Sequence, residues 1–206
     1  MKKFTKYILF ISLGLLCSCS DYLDIVPDNV TTLDIVFNNK NTAQRYLANC
    51  YHFVPDHGSV KRIPGMGAGH ECWFYTDKDS YFDNEVSFYI ARGLQNTNAP
   101  YANYWDGEGG SKLPMFRAIR ECNIFLSYVR DQHKVNDLTD SERKRWIAEV
   151  NVLKAYYHFF LFEHYGPIPI VDEALPVSTS SEGVKVTRMP VDQVVDFMVK
   201  VIDDSY

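Results

Sequence analysis

The sequence predicts a mainly α-helical protein in which helix pairs are joined by long irregular loops. Three observations carry this. Segments 41–54, 113–132, 139–165 and 190–206 repeat apolar residues every three or four positions, the spacing that turns one side of an α-helix toward a core. The longest of them is stopped by Gly166 with Pro167 and Pro169 behind it. Residues 55–111, by contrast, hold eight glycines and three prolines and follow neither a two-residue nor a 3.6-residue period.

The chain has 206 residues, 46% of them hydrophobic and 15% aromatic, which suffices for one moderate core and excludes a disordered polypeptide. Its N-terminus stands apart. Lys2, Lys3 and Lys6 precede an apolar run from Tyr7 to Leu16, too short for a comfortable membrane span and of the length of a secretory signal. Cleavage before Cys19 places Ser18 at −1 and Leu16 at −3. That pattern resembles the bacterial lipobox, in which the thiol is lipidated; an ordinary signal peptide with an incidental cysteine is the alternative. Acyl chains on Cys19 would hold the protein at a membrane, each buried methylene contributing about 0.8 kcal/mol. The organisation expected is a lipoprotein signal peptide over 1–18, an extended lead over 19–40 and a helical body over 41–206.

Loss of residues 1–18 removes three lysines and no acid, taking the net charge from −5 to −8. Such a chain is a poor binder of nucleic acid. Beyond Cys17 and Cys19, only Cys50, Cys72 and Cys122 remain, too few and too far apart for a disulfide framework or a zinc motif. A Cys50–Cys72 bridge and buried free thiols both fit that spacing.

In the first helical segment Ala43, Tyr46, Leu47, Cys50, Tyr51 and Val54 share the 3–4 spacing, Asn41 is a suitable N-cap and Pro55 ends the run. In the second, Met115, Ala118, Ile119, Cys122, Leu126 and Val129 share a face while Arg117, Arg120 and Glu121 lie largely off it. Thr139 and Glu142 form a capping box for the third, whose inner stripe is Trp146, Val150, Leu153, Tyr157 and Phe160. The linker between these two is short, so they should pack as an antiparallel hairpin. After a polar loop, Pro190 opens the last helix, with Val191, Val194, Val195, Met198 and Ile202 on one face. The chain stops at Tyr206 without a C-cap or tail, as a fragment or a truncated reading frame would.

The third helix ends in the aromatic stretch LKAYYHFFLFEHYGPIPIV, Leu153 to Val171. His158 and His164 are six residues apart, which turns them roughly 120° away from one another on a helix and does not match the zinc motifs that pair His with Glu. Lys154, His158, Glu163 and His164 interrupt it as a membrane span. A helix apolar nearly all round belongs inside a core, enclosed by neighbours on several sides.

The same stretch carries a resemblance. Glu149, then Leu153-Lys154-Ala155-Tyr156-Tyr157, then Tyr165-Gly166-Pro167-Ile168-Pro169-Ile170-Val171 resembles the hallmark of the SusD/RagB family of outer-membrane lipoproteins. CSDYLDIVP after the lipobox, FRAIRECNIFL at 116–126 and VTRMPVDQVVDFMVKVIDD near the end agree in the same order. Lys154 stands where the family more often has Arg, keeping a long cationic side chain. The resemblance implies a scaffold of tetratricopeptide-like helix pairs with irregular loops over one face. It also implies a lipid-anchored position on the exterior of the Bacteroidetes outer membrane, beside a SusC-like TonB-dependent transporter. The ligand it implies is an oligosaccharide such as a starch-like glycan, or in some members a peptide, bound without catalysis and without a cofactor.

Sugar recognition uses exposed rings against pyranose faces and amides or carboxylates against hydroxyls. The irregular region supplies both, and Trp73, Tyr75, Tyr81 and Trp105 are the preferred ligand contacts, each able instead to pin its loop to the helices. Asp77, Asp79, Asp83 and Glu85 leave a glycoside hydrolase as a rival reading, and DKDSYFDNE a loop calcium ion, although it lacks the EF-hand order.

Overall fold

The computed structural model describes residues 32–59, 63–69, 86–98, 100–107, 113–175 and 186–205. The chain divides into two units, Met1–Ile35 and Val36–Tyr206. The described part of the first is the beginning of α1 (Leu33–Val36), where the Ile35 amide donates to the Thr32 hydroxyl at 3.4 Å. The second carries α2 (Lys40–Tyr51), α3 (Pro64–Gly67), α4 (Val86–Ala91), α5 (Met115–Val129), α6 (Asp140–Tyr165) and α7 (Val191–Asp203). No strand occurs among the described residues. The expected leader, lead segment and Cys19 lie outside the described residues, apart from the stretch from Thr32 onward.

Helix α2 begins earlier than its sequence suggests. Asn39, not Asn41, is the N-cap, its side-chain oxygen accepting the Thr42 amide at 3.1 Å. The start is drawn forward by long-range ties at Lys40, whose amide donates to Asp137 at 2.8 Å and whose ammonium pairs with Glu142. Ala43, Leu47 and Cys50 are buried as expected, but Tyr51, the helix's last residue, and Val54, beyond its end, are exposed.

Helices α5 and α6 form the predicted antiparallel hairpin. Arg143 at the start of α6 reaches Val129 at the end of α5, the Trp146 ring meets Phe125 at 6.2 Å, and the Asn123 amide donates to Val171, just beyond α6, at 2.9 Å. All six residues expected on the inner face of α5 are buried. The turn is organised by one side chain. The Arg143 guanidinium, itself buried, donates to the carbonyls of Val129 (2.6 Å), Asp131 (3.2 Å), Lys134 (3.1 Å) and Val135 (3.0 Å). Val135 has φ 50°, a conformation that β-branched residues avoid, and it is held there by a further bond from its amide to the Phe37 carbonyl at 3.1 Å.

Helix α6 is the pillar. The Thr139 hydroxyl accepts the Glu142 amide at 3.3 Å while the Glu142 carboxylate accepts the Thr139 amide at 3.1 Å, which completes the capping box. Gly166 ends the helix with φ 70°, which glycine adopts without the clash a Cβ would bring. Trp146, Val150, Leu153, Tyr157 and Phe160 are buried, as are Lys154, His158 and Leu161, because α2, α5 and α7 all pack against it. Enclosure is incomplete along one strip, where Val152 and Phe159 are exposed. Helix α7 packs, among the described elements, on α6 alone. Only Val194 and Met198 of its apolar face are therefore buried, and Val191, Val195 and Ile202 remain exposed together with Val199.

Candidate functional site

Of the four preferred ligand contacts, Trp73, Tyr75 and Tyr81 lie outside the described residues, as do the acidic residues 77–85. Trp105 is described, and its surroundings begin with how α5 starts. Pro114 sits at the N-cap of α5 and has no side-chain oxygen to offer the first-turn amides. Those amides take backbone carbonyls instead: Met115 donates to Tyr104 at 2.9 Å and Phe116 to Trp105 at 3.5 Å. Gly107, with φ 85°, lets the chain turn there, since a Cβ would stand 2.9 Å from the Pro114 ring.

The C-terminal turn of α6 grips the same segment from the other side. The Tyr104 ring is fully buried, edge-on to Phe160 at 5.0 Å and to His164 at 4.7 Å. Its amide donates to the Tyr165 hydroxyl at 2.9 Å, and that hydroxyl donates to the Ala102 carbonyl at 3.4 Å. Trp105 is thereby set half-buried between Phe116 at 4.6 Å and Tyr165 at 5.5 Å, with the Arg188 guanidinium 5.1 Å from its ring centre. Arg188 also donates to the Pro167 carbonyl at 3.1 Å. Trp105, Phe116, Pro169, Val171, Leu175 and Val186 line a pocket of about 200 Å³. Asn103 and Asp106 flank the tryptophan and bond to each other at 2.6 Å. An apolar shelf beside amide, carboxylate and guanidinium groups is a chemistry that can take the apolar face of a sugar ring and its hydroxyls.

A second aromatic surface lies on α4. Tyr89 and Tyr101 stack at 4.3 Å with an 11° interplanar angle, both half-buried, and the Tyr101 amide donates to Gln95 at 2.8 Å. Both rings fall in the irregular region of the sequence, and neither is among the four preferred contacts. The available signal was the short run VSFYIA, which has the spacing of one helical turn and a half.

Two polar side chains hold the far wall of the Trp105 pocket in place. Lys154 is buried, and its ammonium donates to the Asp172 backbone carbonyl at 2.7 Å and to the Asp172 carboxylate at 2.5 Å. Burial pulls the lysine below its usual pKa range, opposed by that carboxylate; burial opposes ionisation of Asp172, and its bond to Lys154 outweighs this and keeps the carboxyl below its usual range. His158 is fully buried, its ring 5.0 Å from that of Phe197 on α7. Its Nδ1–H donates to the Lys154 carbonyl at 2.7 Å, and Nε2 accepts the Val171 amide at 3.4 Å. That arrangement requires the neutral ring, and burial lowers its pKa to about 4. His164 spends Nδ1 separately, on the Phe160 carbonyl at 2.8 Å.

A pH dependence follows. The unfolded chain protonates His158 near pH 6.5 and the folded chain only near pH 4. The stability that neutral His158 confers is therefore complete above about pH 6.5 and is lost as pH falls toward 4, amounting to about 3 kcal/mol. Urea unfolding at pH 7 and pH 4.5 checks it: His158→Gln is expected to show a shallower loss than the wild type, and parallel losses would refute the assignment.

The family model of SusD-like proteins described as "Starch-binding associating with outer membrane" matches residues 21–205. The chain belongs to the SusD/RagB family. Its fold agrees with solved SusD-like structures. A laminarin-binding SusD-like protein superposes with a TM-score of 0.62 at 18% identity, covering 82% of this chain and 34% of its own. A SusD-like protein from Bacteroides fragilis NCTC 9343 gives 0.58 at 17% identity, covering 89% of this chain and 31% of its own. The chain thus spans about a third of the length of the solved structures it matches. No curated protein sequence matches it. The fold class is accordingly the mainly α, tetratricopeptide-like helix-pair arrangement of SusD-like proteins. No described helix is long and apolar enough to cross a membrane.

Proposed function

We propose that this SusD-like chain is part of a cell-surface lipoprotein that binds oligosaccharides and delivers them to a SusC-like TonB-dependent transporter. In this reading residues 1–18 direct export, Cys19 carries the lipid, 19–40 form the lead and 41–206 begin the binding domain. The protein captures its ligand and does no bond chemistry. The family description, with its starch binding and outer-membrane association, supports the ligand class and the location. The observation that carries the reading to particular residues is the Trp105 shelf, a half-buried indole beside Asn103, Asp106 and Arg188. Trp73, Tyr75 and Tyr81 are proposed as further contacts, and the Tyr89–Tyr101 pair as a second stacking surface.

Calorimetric titration of the chain with starch-like and β-glucan oligosaccharides tests this. Trp105→Ala is expected to weaken binding roughly 10- to 100-fold, the loss typical of a truncated aromatic anchor, with the helical circular dichroism unchanged. Unaltered affinity would remove Trp105 from the site. Binding of peptides in place of glycans would assign the chain to the peptide-binding members, and release of shortened sugars would make it a hydrolase.

A further inference from the structure

The sequence leaves three body cysteines without assigned roles, and the structure brings two of them together. Cys50 lies on the buried side of α2 and Cys122 on the buried side of α5, both fully shielded from solvent. The helices are tied together beside this point. The Tyr46 hydroxyl donates to the Glu121 carboxylate at 2.5 Å, and the Asn49 amide donates to the same carboxylate at 3.4 Å. Tyr46 and Asn49 are the neighbours of Cys50 on α2, and Glu121 adjoins Cys122. From α6, the Tyr157 hydroxyl donates to the Cys50 carbonyl at 2.5 Å and fixes the backbone there. Both thiols are free in this structure, and Cys50 is the group that acts most strongly on the Cys122 thiol.

We infer that Cys50 and Cys122 are a covalent cross-link site, oxidised to a disulfide that joins α2 to α5. The inference rests on the proposed export of the chain, because a compartment outside the cytosol is where such bonds persist. The oxidant required is a disulfide, either a small one such as oxidised glutathione or the active-site disulfide of an oxidoreductase. One cysteine thiolate attacks an oxidant sulfur, forming a mixed disulfide and releasing one oxidant thiol. The second cysteine thiolate then attacks the first cysteine's sulfur, closing the bond and releasing the other oxidant thiol. Two protons and two electrons leave the protein, and the oxidant disulfide becomes two thiols.

The structure also dictates when this happens. The neighbouring Cys50 and burial push the Cys122 thiol above the ordinary thiol range, and in the folded chain both cysteines are shut off from solvent, where an oxidant cannot reach them. The bond therefore forms before α2 closes onto α5. Once made, it encloses residues 50–122, which contain the whole irregular region and Trp105. The cross-link would tether at its base the loop that carries the proposed ligand contacts.

The test maps thiols in the full chain, refolded in a reduced and oxidised glutathione couple, alkylated under denaturing conditions and digested with trypsin. The expected product joins peptide 46–61 to peptide 121–130 with the loss of two hydrogens, and reductant separates it. Cys72→Ser should leave it intact and Cys122→Ser should abolish it. Oxidation should raise the Tm by about 5–15 °C over the reduced chain, given the length of the enclosed loop. Alkylated Cys50 and Cys122, or a bond from Cys50 to Cys72 in the peptide at 63–78, overturns the inference. That outcome needs no ligand and no membrane, so it would leave the binding reading, which is tested by titration, untouched. Wild-type peptide mapping decides the matter even where a variant fails to fold.

Discussion

Arg143→Met is expected to lower the unfolding free energy by about 3–5 kcal/mol, more than a surface arginine could account for. Methionine keeps the length and apolar contact of the side chain and removes every donor. Four carbonyls then lose their partner, and those of Val129 and Val135 are buried where water cannot replace it. A buried acceptor left unpaired costs about 1–3 kcal/mol. The loss also bears on Val135, whose left-handed backbone is tolerated because its carbonyl and amide are both engaged. Urea unfolding gives the magnitude, and hydrogen exchange locates it: the Val135 amide, bonded to the Phe37 carbonyl, should lose protection before the amides in the middle of α6. Arg143→Lys should fall between, since an ammonium cannot reach all four oxygens with the geometry of a planar fork. A methionine variant as stable as the wild type would show that the turn holds without its guanidinium.

Phe160→Ala should cost a comparable 3–5 kcal/mol, roughly the penalty for deleting a buried aromatic ring. The position matters more than the number. Phe160 is 1% exposed and stands between the core of α6 and the Tyr104 ring, with His164 and His57 against its other edges at 4.4 and 6.0 Å. The cavity opens where Tyr104 is seated, so the damage should spread to Trp105 next to it. Amide exchange at Met115 and Phe116, which bond to the Tyr104 and Trp105 carbonyls, should accelerate more than exchange along α7. Oligosaccharide affinity should fall along with stability. Phe160→Leu, which leaves a smaller hole, should lose less of both. Uniform destabilisation across α5, α6 and α7 would mean that the ring fills the core without positioning the loop.

Much of the scaffold could be read directly from the chain, because its signals are local. The capping box at Thr139, the Gly166 stop and the stripe from Trp146 to Phe160 depend on residues within a few turns of one another, and all appear as read. Asn39 and Asn41 can both cap, and the choice between them is made by Asp137, almost a hundred residues away. Arg143 falls on the buried stripe, three residues before Trp146. A charge at that phase was the available clue to a buried guanidinium. The exposed part of α7 could not be foreseen, since periodicity shows which face is apolar but not whether a neighbour exists to cover it. The Trp105 shelf illustrates the same limit for function. The tryptophan was singled out, but its walls come from Phe116, Pro169, Val171, Leu175 and Val186, which only the folded chain assembles.

The carbonyls that start α5 also set a limit on exchangeability. Tyr104 and Trp105 give their backbone oxygens to the helix, Gly107 clears Pro114, and Tyr165 holds Ala102 from behind. A transplant of loop sequence from a relative with another ligand would need its downstream junction before Ala102. Beyond that junction, recognition and architecture share the same atoms. Around Trp105 new specificity could be written only by side-chain substitution on a fixed backbone.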